Sequence, residues 1–212
     1  DSLLNAFQKN EDIHSVTAMD VFQVDKASLN SDLRRKAKTI NFGIIYGISP
    51  YGLSAQLDIS NSEAKHYIES YFKKYPGIKE YMDKTVKECR SKGYVTTPFG
   101  RRIFIPFIND KVANRRNFAE RSAINAPIQG GAADLIKLAM PKIYKFLTKE
   151  KLMSKMLIQV HDELIFEVPQ NEINIMKHNI PTIMSNSHNN FLDLKVPIKV
   201  DLGLGINWDE AN

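Results

Sequence analysis

Helical spacing of apolar residues dominates the first 90 positions and constrains the fold more than any other feature. Between residues 64 and 72 the apolar side chains recur three and four positions apart, which places them on one helix face. Ser60 and Glu63 form a capping box before this segment, and Pro76 disfavours helix at the residue preceding it. The first part of the chain is therefore predicted to be mostly helical. The predicted helices cover residues 2–8, 12–23, 31–47, 51–57, 60–75 and 76–93, and Asp12 can cap the second of them.

Strand patterns enter later in the chain. Residues 94–97 and 102–105 flank a Pro–Phe–Gly turn, and residues 156–160 and 164–168 are apolar runs separated by three polar residues. Both pairs are predicted as β-hairpins. We expect an α+β fold, with a helical part over residues 1–120 and part of an antiparallel sheet over residues 121–212. The remaining predicted elements are a helix over 112–147 with kink points at Pro127 and Gly130–Gly131, a helix over 171–186 and a strand over 196–202.

Composition excludes several classes of protein. The 212 residues are 43% hydrophobic, enough for a buried core, and 29 Lys and Arg against 24 Asp and Glu give a net charge of +5. That excess is compatible with a polyanionic partner. Cys89 is the only cysteine, so a disulfide framework is excluded and a cytoplasmic protein is expected. No apolar stretch has the length of a membrane span. Because the chain starts at Asp1 without an initiator Met, we expect a piece of a longer protein.

Four residues at spacing four make residues 34–47, RRKAKTINFGIIYG, unusual. Arg34, Lys38, Phe42 and Tyr46 lie about 40° apart in turn around a helix, so two cations and two aromatic rings share one stripe. An ordinary amphipathic helix separates charged and apolar faces. The stripe suits a ligand that combines phosphate with an aromatic base, but the pattern fits a solvated basic turn followed by buried aromatic residues equally well.

The second unusual feature is His161–Asp162–Glu163, which separates two apolar runs. Acidic groups at the tip of a rigid hairpin point away from the core, and Mg²⁺ uses one or two carboxylates together with substrate phosphates. An Asp in a β-turn more often bonds the local backbone, so this feature alone does not establish a metal site.

Taken together, these segments resemble family A DNA polymerases over nearly the whole chain. RRKAKTINFGIIYG resembles motif B on the fingers helix of that family, and QVHDE at residues 159–163 resembles motif C on its palm. YVTTPFGRRIFIP resembles the hairpin between them, and ERSAINAPIQGGAADLIK resembles the helix that contacts the primer–template duplex. The resemblance implies a fingers subdomain over residues 1–120 and the C-terminal part of a palm over residues 121–212.

The resemblance also implies a binding site for deoxynucleoside triphosphates. Arg34 and Lys38 would hold the triphosphate, which agrees with two cations one helical turn apart. His14 matches a further phosphate contact. Phe42 would face the sugar and base, and Tyr46 would stack near the templating base.

Contacts with primer–template DNA are implied further along the chain. Arg121, Asn125 and Gln129, again at spacing four, resemble the polar side chains that contact the minor groove. Acceptors in that groove are common to all correct base pairs, so donors there can sense pairing without reading sequence. Arg115 and Arg116 are candidates for phosphate-backbone contacts.

The implied reaction is attack of a primer 3′-hydroxyl on the α-phosphorus of the nucleotide, with two Mg²⁺ ions and loss of pyrophosphate. Asp162 matches a metal ligand of the family, and Arg34 and Lys38 would support catalysis by holding the triphosphate. Glu163 is a weaker metal candidate, because neighbouring strand residues point to opposite faces. Gln159 and His161 would line the primer terminus.

One family motif has no counterpart here. Motif A, a palm strand that carries the other metal-binding Asp and the residue that excludes ribonucleotides, does not occur in these 212 residues. We therefore expect this chain to be inactive alone, although the parent protein would be an active polymerase of replication and repair. Loss of that strand would also leave a sheet edge exposed, so self-association of the chain is expected.

Two other hypotheses fit parts of the sequence. A noncatalytic DNA-binding helical module would keep the same local motifs if motif A were degenerate in the parent protein. An RNA-templating single-subunit polymerase has related fingers, but the runs QGGAADLIK and QVHDE disfavour it.

Overall fold

The computed structural model describes residues 2–211, and its secondary structure follows most of the predicted elements. The first part is helical and comprises α1 (Ser2–Gln8), α2 (Ile13–Phe22), α3 (Ser31–Ile45), α4 (Pro50–Leu57), α5 (Asn61–Lys74) and α6 (Pro76–Lys92). The remainder comprises β1 (Tyr94–Thr96), β2 (Arg102–Phe104), α7 (Ala113–Lys149), β3 (Lys155–Val160), β4 (Glu163–Glu167), a 3₁₀ turn (Gln170–Glu172) and α8 (Ile173–Ser185). The α+β prediction is confirmed.

Capping side chains fix the ends of the helices. The Ser60 hydroxyl accepts a hydrogen bond from the Glu63 amide at 3.1 Å, as the capping box predicts. The carboxamide of Asn30 accepts from the Leu33 amide at 2.9 Å, so Asn30 is the cap of α3 and the helix begins at Ser31. The helix ends at Ile45, two residues before the predicted end at Gly47.

The chain divides into two compact units, residues 1–128 and 129–212. In the first unit, helices α2 to α5 pack around a core in which Ile40, Ile44, Leu53 and Tyr71 are almost completely buried. A polar contact crosses this region between α2 and α3. The Thr17 hydroxyl and the Asn41 side-chain amide, both buried, lie 3.0–3.2 Å apart.

A second apolar cluster in the first unit supports the β1–β2 hairpin. Cys89 of α6 and Val95 of β1 pack with Ala119 and Ala123 of α7. The strands pair antiparallel, with Tyr94 opposite Phe104 and Thr96 opposite Arg102. One face of the hairpin is therefore fixed to the helices beneath it.

In the second unit, the C-terminal part of α7 packs with α8. Ile143 of α7 and Met176 and Ile180 of α8 are among the buried residues of this cluster. Strands β3 and β4 pair antiparallel, and Val160 lies opposite Glu163. The loop between them therefore has two residues, His161 and Asp162, and the prediction of a three-residue tip that included Glu163 is wrong.

The predicted strand over residues 196–202 is also wrong, since this segment has no regular secondary structure. Apolar and polar residues alternate there, but a strand needs a hydrogen-bonding neighbour. Within residues 2–211 both sheets are two-stranded and neither includes this segment. By contrast, α7 continues from Ala113 to Lys149 without interruption through Pro127 and the two glycines at 130 and 131. No helix in the described part of the chain is long and apolar enough to cross a bilayer.

A buried carboxylate joins the start of β3 to the 3₁₀ turn. The Glu172 carboxylate accepts hydrogen bonds from the Met153 and Ser154 amides, both at 2.9 Å, and from the Ser154 hydroxyl at 2.5 Å. The hydroxyl and amide donors lower the pKa of Glu172, because they bind the charged form more strongly than the neutral acid. These bonds therefore connect the 3₁₀ turn to residues 153 and 154, which directly precede β3.

We predict that Glu172→Gln destabilises the second unit in a pH-dependent way. Because the pKa of Glu172 is lower in the folded than in the unfolded chain, the ionised carboxylate stabilises the fold. This stabilisation is complete above the usual pKa of glutamate and is lost as the pH falls through the lowered, folded-state pKa. Urea unfolding at several pH values should therefore show a difference in unfolding free energy between wild type and variant that is largest near neutral pH. Glu167→Gln, at an exposed position of β4, is the matched control. A difference that stayed constant down to about pH 2 would contradict the assignment.

Candidate functional site

The buried face of α3 decides between the two interpretations of its unusual stripe. Ala37, Ile40, Asn41 and Ile44 are the buried residues of this helix. The stripe of Arg34, Lys38, Phe42 and Tyr46 lies elsewhere, with Phe42 47% and Tyr46 49% exposed. The two aromatic residues are therefore not part of the core, and the interpretation as a buried aromatic end is wrong.

An open cleft of about 680 Å³ lies along this exposed side of α3. Three of the stripe residues, Lys38, Phe42 and Tyr46, line it together with Arg121 of α7. Cations and aromatic rings thus converge from two helices that are far apart in sequence. The other lining residues are Arg35, Thr39, Gly43, Gly47, Ile48, Ser49, Gly52 and Gln56.

Gly47 shapes the end of this cleft. Its φ of +69° is in the left-handed region, where a side chain is strained. A Cβ atom at this position would lie 2.7 Å from Cγ of Arg121, which is too close for any real contact. Glycine is therefore required here for the backbone conformation and for the approach of Arg121.

Arg34 lies at the start of the stripe and is paired with Asp12. Its Nε and a terminal nitrogen donate to the two carboxylate oxygens of Asp12 at 2.6 and 3.2 Å. Partial burial acts to raise the pKa of Asp12, but hydrogen bonds from Arg34, the Ser15 hydroxyl and the His14 amide outweigh it and lower the pKa to about 2. Asp12 also caps α2, as predicted, so one carboxylate joins the start of α2 to the cationic end of the stripe.

His14, a residue of α2, lies beside the stripe of α3. Its Nδ1 is 3.1 Å from the side-chain nitrogen of Asn41, and its ring centroid is 5.8 Å from that of Phe42. Burial lowers the pKa of His14, and the charges of Arg34 and Lys38 lower it further against the opposing effect of Asp12. The ring is therefore biased toward the neutral form, which can accept from the Asn41 amide.

Two residues that hold this arrangement together were not predicted from the sequence. Asn41 contacts both His14 and Thr17, and it occupies a buried position between the apolar residues Ile40 and Ile44. A polar residue on an otherwise apolar helix face is a signal for a buried hydrogen-bond network, and Asn41 could have been found in this way. Thr17 has no comparable signal.

Of the predicted DNA contacts on α7, Arg121 and Asn125 belong to the first unit and Gln129 begins the second. Arg121 lines the cleft, and the Asn125 side chain donates to the carbonyl of Arg121 at 2.9 Å. The structure thus brings one member of this series to the aromatic residues of α3.

Arg115 and Arg116 lie near the start of α7 and contact the preceding loop. The guanidinium of Arg115 is 3.8 Å from the Asp110 carboxylate and 5.8 Å from the centre of the Phe107 ring. Arg116 donates to the Asp110 carbonyl at 3.0 Å and lies 3.9 Å from the Glu120 carboxylate. Arg116 is thus held by a hydrogen bond, whereas Arg115 is 64% exposed and makes only longer contacts.

The β3–β4 turn carries the predicted metal ligand. Asp162 and His161 form the turn and are exposed, and His161 has a φ of +50°. The side chain of Gln159 donates to the His161 carbonyl at 2.6 Å. Glu163 is exposed at the first position of β4. Among residues 2–211, no group of three or more His, Cys, Asp or Glu side chains could enclose a metal ion.

Comparison with known proteins identifies the family. The family model for DNA polymerase family A matches residues 1–210. DNA polymerase I of Geobacillus stearothermophilus is 47% identical over 211 residues, which are 100% of this chain and 24% of that protein. DNA polymerase I of Streptococcus pneumoniae strain R6 is 48% identical over 210 residues, again 24% of its length. The chain thus spans about a quarter of these curated relatives.

A solved structure agrees with the sequence comparisons. The POL domain of Pol1 from M. smegmatis, in complex with DNA primer-template and dNTP, superposes with a TM-score of 0.91 at 40% identity. The match covers 99% of this chain and 36% of the other. With a family model over residues 1–210 and relatives at 47–48% identity, the chain belongs to DNA polymerase family A.

Proposed function

We propose that the protein containing this chain is a DNA-directed DNA polymerase of replication and repair. It would transfer a nucleotidyl group from a deoxynucleoside triphosphate to a primer 3′-hydroxyl. Membership of DNA polymerase family A supports this activity, and so does the similarity to a POL domain described in complex with primer–template DNA and dNTP. The observation that carries the proposal is the cleft beside α3, where cationic side chains and two exposed aromatic rings are available to a ligand.

Along the exposed side of α3, we propose that phosphate and base are bound by different ends of the stripe. Lys38 and Arg34 lie one helical turn apart, so their charges can follow the oxygen atoms of a triphosphate. Phe42 and Tyr46 continue in the same direction, and their exposed ring faces can stack on sugar and base without regard to base identity. His14 contacts the same region through Phe42, and its neutral ring can donate the Nε2 hydrogen to a phosphate while Nδ1 accepts from Asn41.

The ion pair between Arg34 and Asp12 affects how Arg34 would bind the triphosphate. A bidentate carboxylate occupies the guanidinium donors that a phosphate would use. Arg34 would therefore exchange Asp12 for the triphosphate, or share its donors between the two. Asp12 keeps Arg34 oriented beside His14 until that exchange occurs.

The DNA would be bound by the remaining candidates. Arg121, Asn125 and Gln129 recur along α7 at spacing four, which suits contacts that follow the minor groove of the newly formed duplex. Arg115 and Arg116 would contact the phosphate backbone, while Gln159 and His161 would lie beside the primer terminus. In this assignment the fingers correspond to residues 1–120 and the C-terminal part of the palm to residues 121–212.

Asp162 is the proposed ligand for a divalent metal, with Mg²⁺ as the expected ion. An exposed carboxylate on a short turn fits Mg²⁺, which takes one or two carboxylates and completes its shell with phosphate oxygens and water. Glu163 is adjacent and ranks second. When bound, such ions lower the pKa of the attacking hydroxyl and neutralise charge on the leaving oxygens. Asp162 and Glu163 supply one carboxylate pair from a single hairpin, so a two-metal site requires a further carboxylate from another element.

A cytoplasmic location is proposed as well. It is supported by Cys89, the single cysteine, which is buried as a free thiol, as suits a reducing compartment.

We predict that Lys38→Ala weakens nucleotide use in the full-length protein. Loss of a hydrogen bond to a charged phosphate costs about 1.5–3 kcal/mol, so kcat/KM for the nucleotide should fall by roughly 10- to 100-fold. Single-turnover primer extension with varied nucleotide measures this effect. Binding of primer–template DNA without nucleotide should not change.

Lys36→Ala is the matched control for Lys38→Ala. Lys36 lies on the same helix, but its ammonium is 3.2 Å from the Asp32 carboxylate and it does not line the cleft. An equal loss of kcat/KM in both variants would indicate a general charge effect and would contradict the assigned role of Lys38.

The isolated 212-residue chain should not extend a primer, because Asp162 and Glu163 provide carboxylates from only one element. Primer extension in Mg²⁺ by the isolated chain should equal that of its Asp162→Ala variant, whereas in the full-length protein Asp162→Ala should abolish activity. Incorporation by the isolated chain above the Asp162→Ala background would refute this prediction. If full-length wild type and Asp162→Ala bind DNA equally and both are inactive, the noncatalytic DNA-binding module becomes the better description.

Self-association of the isolated chain is also expected. Leu157 and Ile158 of β3 are exposed, and the two-stranded β3–β4 sheet has open edges within the described residues. Sedimentation velocity over a range of concentrations should show a shift from monomer to larger species that Leu157→Lys reduces. A sedimentation coefficient that does not depend on concentration would contradict this expectation.

A further inference from the structure

The basic excess of the chain is concentrated in one segment. Residues 90–121 contain eight Lys and Arg but only two Asp and Glu, a net charge of +6 within 32 positions. The whole chain has a net charge of +5, so the remaining residues together carry −1. A polyanion would therefore be attracted mainly to this segment, which contains the β1–β2 hairpin and the start of α7.

The hairpin has an inner and an outer face. Val95 and Ile103 point toward the apolar cluster beneath, and Val95 is buried. Because side chains alternate along a strand, the neighbouring positions belong to the opposite face. That outer face consists of Tyr94, Thr96, Arg102 and Phe104.

Aromatic and cationic side chains on this outer face contact one another. The Arg102 guanidinium lies 4.9 Å above the centre of the Tyr94 ring. The ring of Tyr94 meets that of Phe104 edge to face, with centroids 5.7 Å apart. Tyr94 thus holds both partners in place, and Phe104 nevertheless remains 72% exposed. An ordered and exposed ring beside a guanidinium plane is the arrangement on which an unpaired base stacks.

The same combination recurs nearby in the segment. Phe107 and Phe118 are also exposed, and Arg115 lies over the Phe107 ring. The bases of a duplex are stacked inside and hide their faces, whereas a single strand offers both phosphates and base faces. The combination of concentrated positive charge and exposed rings therefore favours a single strand over a duplex.

We propose that the outer face of the β1–β2 hairpin is a binding surface for an unpaired nucleic-acid strand. Phe104 would stack on a base, Arg102 would contact phosphate or stack on a neighbouring base, and Tyr94 would position both. None of these residues lines the cleft beside α3, so this surface is separate from the proposed nucleotide site. The inference rests on the proposed function only in naming the strand, which would be the unpaired part of the template.

The test uses the full-length protein and measures binding by fluorescence anisotropy. The probes are primer–template duplexes whose unpaired template is either about 1 or about 10 nucleotides long, and only the longer one falls within the roughly 4–16 nucleotides that a single-strand binding fold occupies. Wild type should bind the longer template more tightly. Phe104→Ala should weaken binding to the long template by about 10-fold, as expected for loss of one stacked base, and leave binding to the short one unchanged.

Two control variants separate stacking from charge and from nonspecific effects. Arg102→Lys keeps the charge, so it should preserve the salt dependence of binding while losing part of the affinity gained from the longer template. Phe191→Ala removes an equally large ring that is 61% exposed in the second unit, and it should have no effect.

Three results would overturn the inference. One is a wild-type affinity that does not depend on template length. Another is equal binding of the long template by wild type and Phe104→Ala. The third is loss, in Phe104→Ala, of binding to anionic phosphatidylserine vesicles but not to DNA, which would indicate a membrane surface. Failure of the proposed polymerase function is distinct, since wild type would then not extend the primer of the short-template duplex, whatever its affinity for the long template.

Discussion

The contact between Thr17 and Asn41 fixes the side of α3 that faces solvent. Both side chains are buried and bond to each other across the α2–α3 interface, and Asn41 also meets His14. An unpaired amide at this depth would cost about 1–3 kcal/mol, so rotation of α3 away from α2 is penalised. With Asn41 held inward, Phe42 is held at the edge of the cleft and Lys38 one turn before it.

The ion pair at the N-terminal end of α3 also depends on the packing of α2 against α3. The capping residue of α2, Asp12, comes within hydrogen-bond distance of Arg34 only because the two helices are held side by side. One carboxylate therefore caps a helix, orients an arginine and opposes the accumulation of positive charge around His14. At the far end, Gly47 admits Arg121 to the cleft, which joins α7 to the stripe. The cleft thus depends on three contacts between segments distant in sequence.

The sequence was most informative where local chemistry determines structure. Capping residues such as Asp12 and Ser60 predicted the first residues of their helices to within one or two positions, because a capping side chain bonds to the amides directly beside it. The strand predicted over residues 196–202 failed because alternation describes a side-chain pattern and not the neighbour with which a strand must pair. For the candidate site, spacing identified the α3 stripe but left its exposure open. The contact that determines which side of α3 is exposed joins Thr17 and Asn41, which are 24 positions apart in the chain. The close approach of Arg121 to Gly47 likewise cannot be predicted from the residues around either position.

The most direct test of the proposed nucleotide site is a crystal structure of the full-length protein with primer–template DNA and a matched, nonreacting deoxynucleoside triphosphate. We predict phosphate oxygens within hydrogen-bond distance of Lys38 and Arg34, and the sugar and base against Phe42, with Asn41 still bonded to Thr17. A triphosphate bound away from α3, with Lys38 facing solvent and Arg34 still fully paired with Asp12, would contradict the assignment.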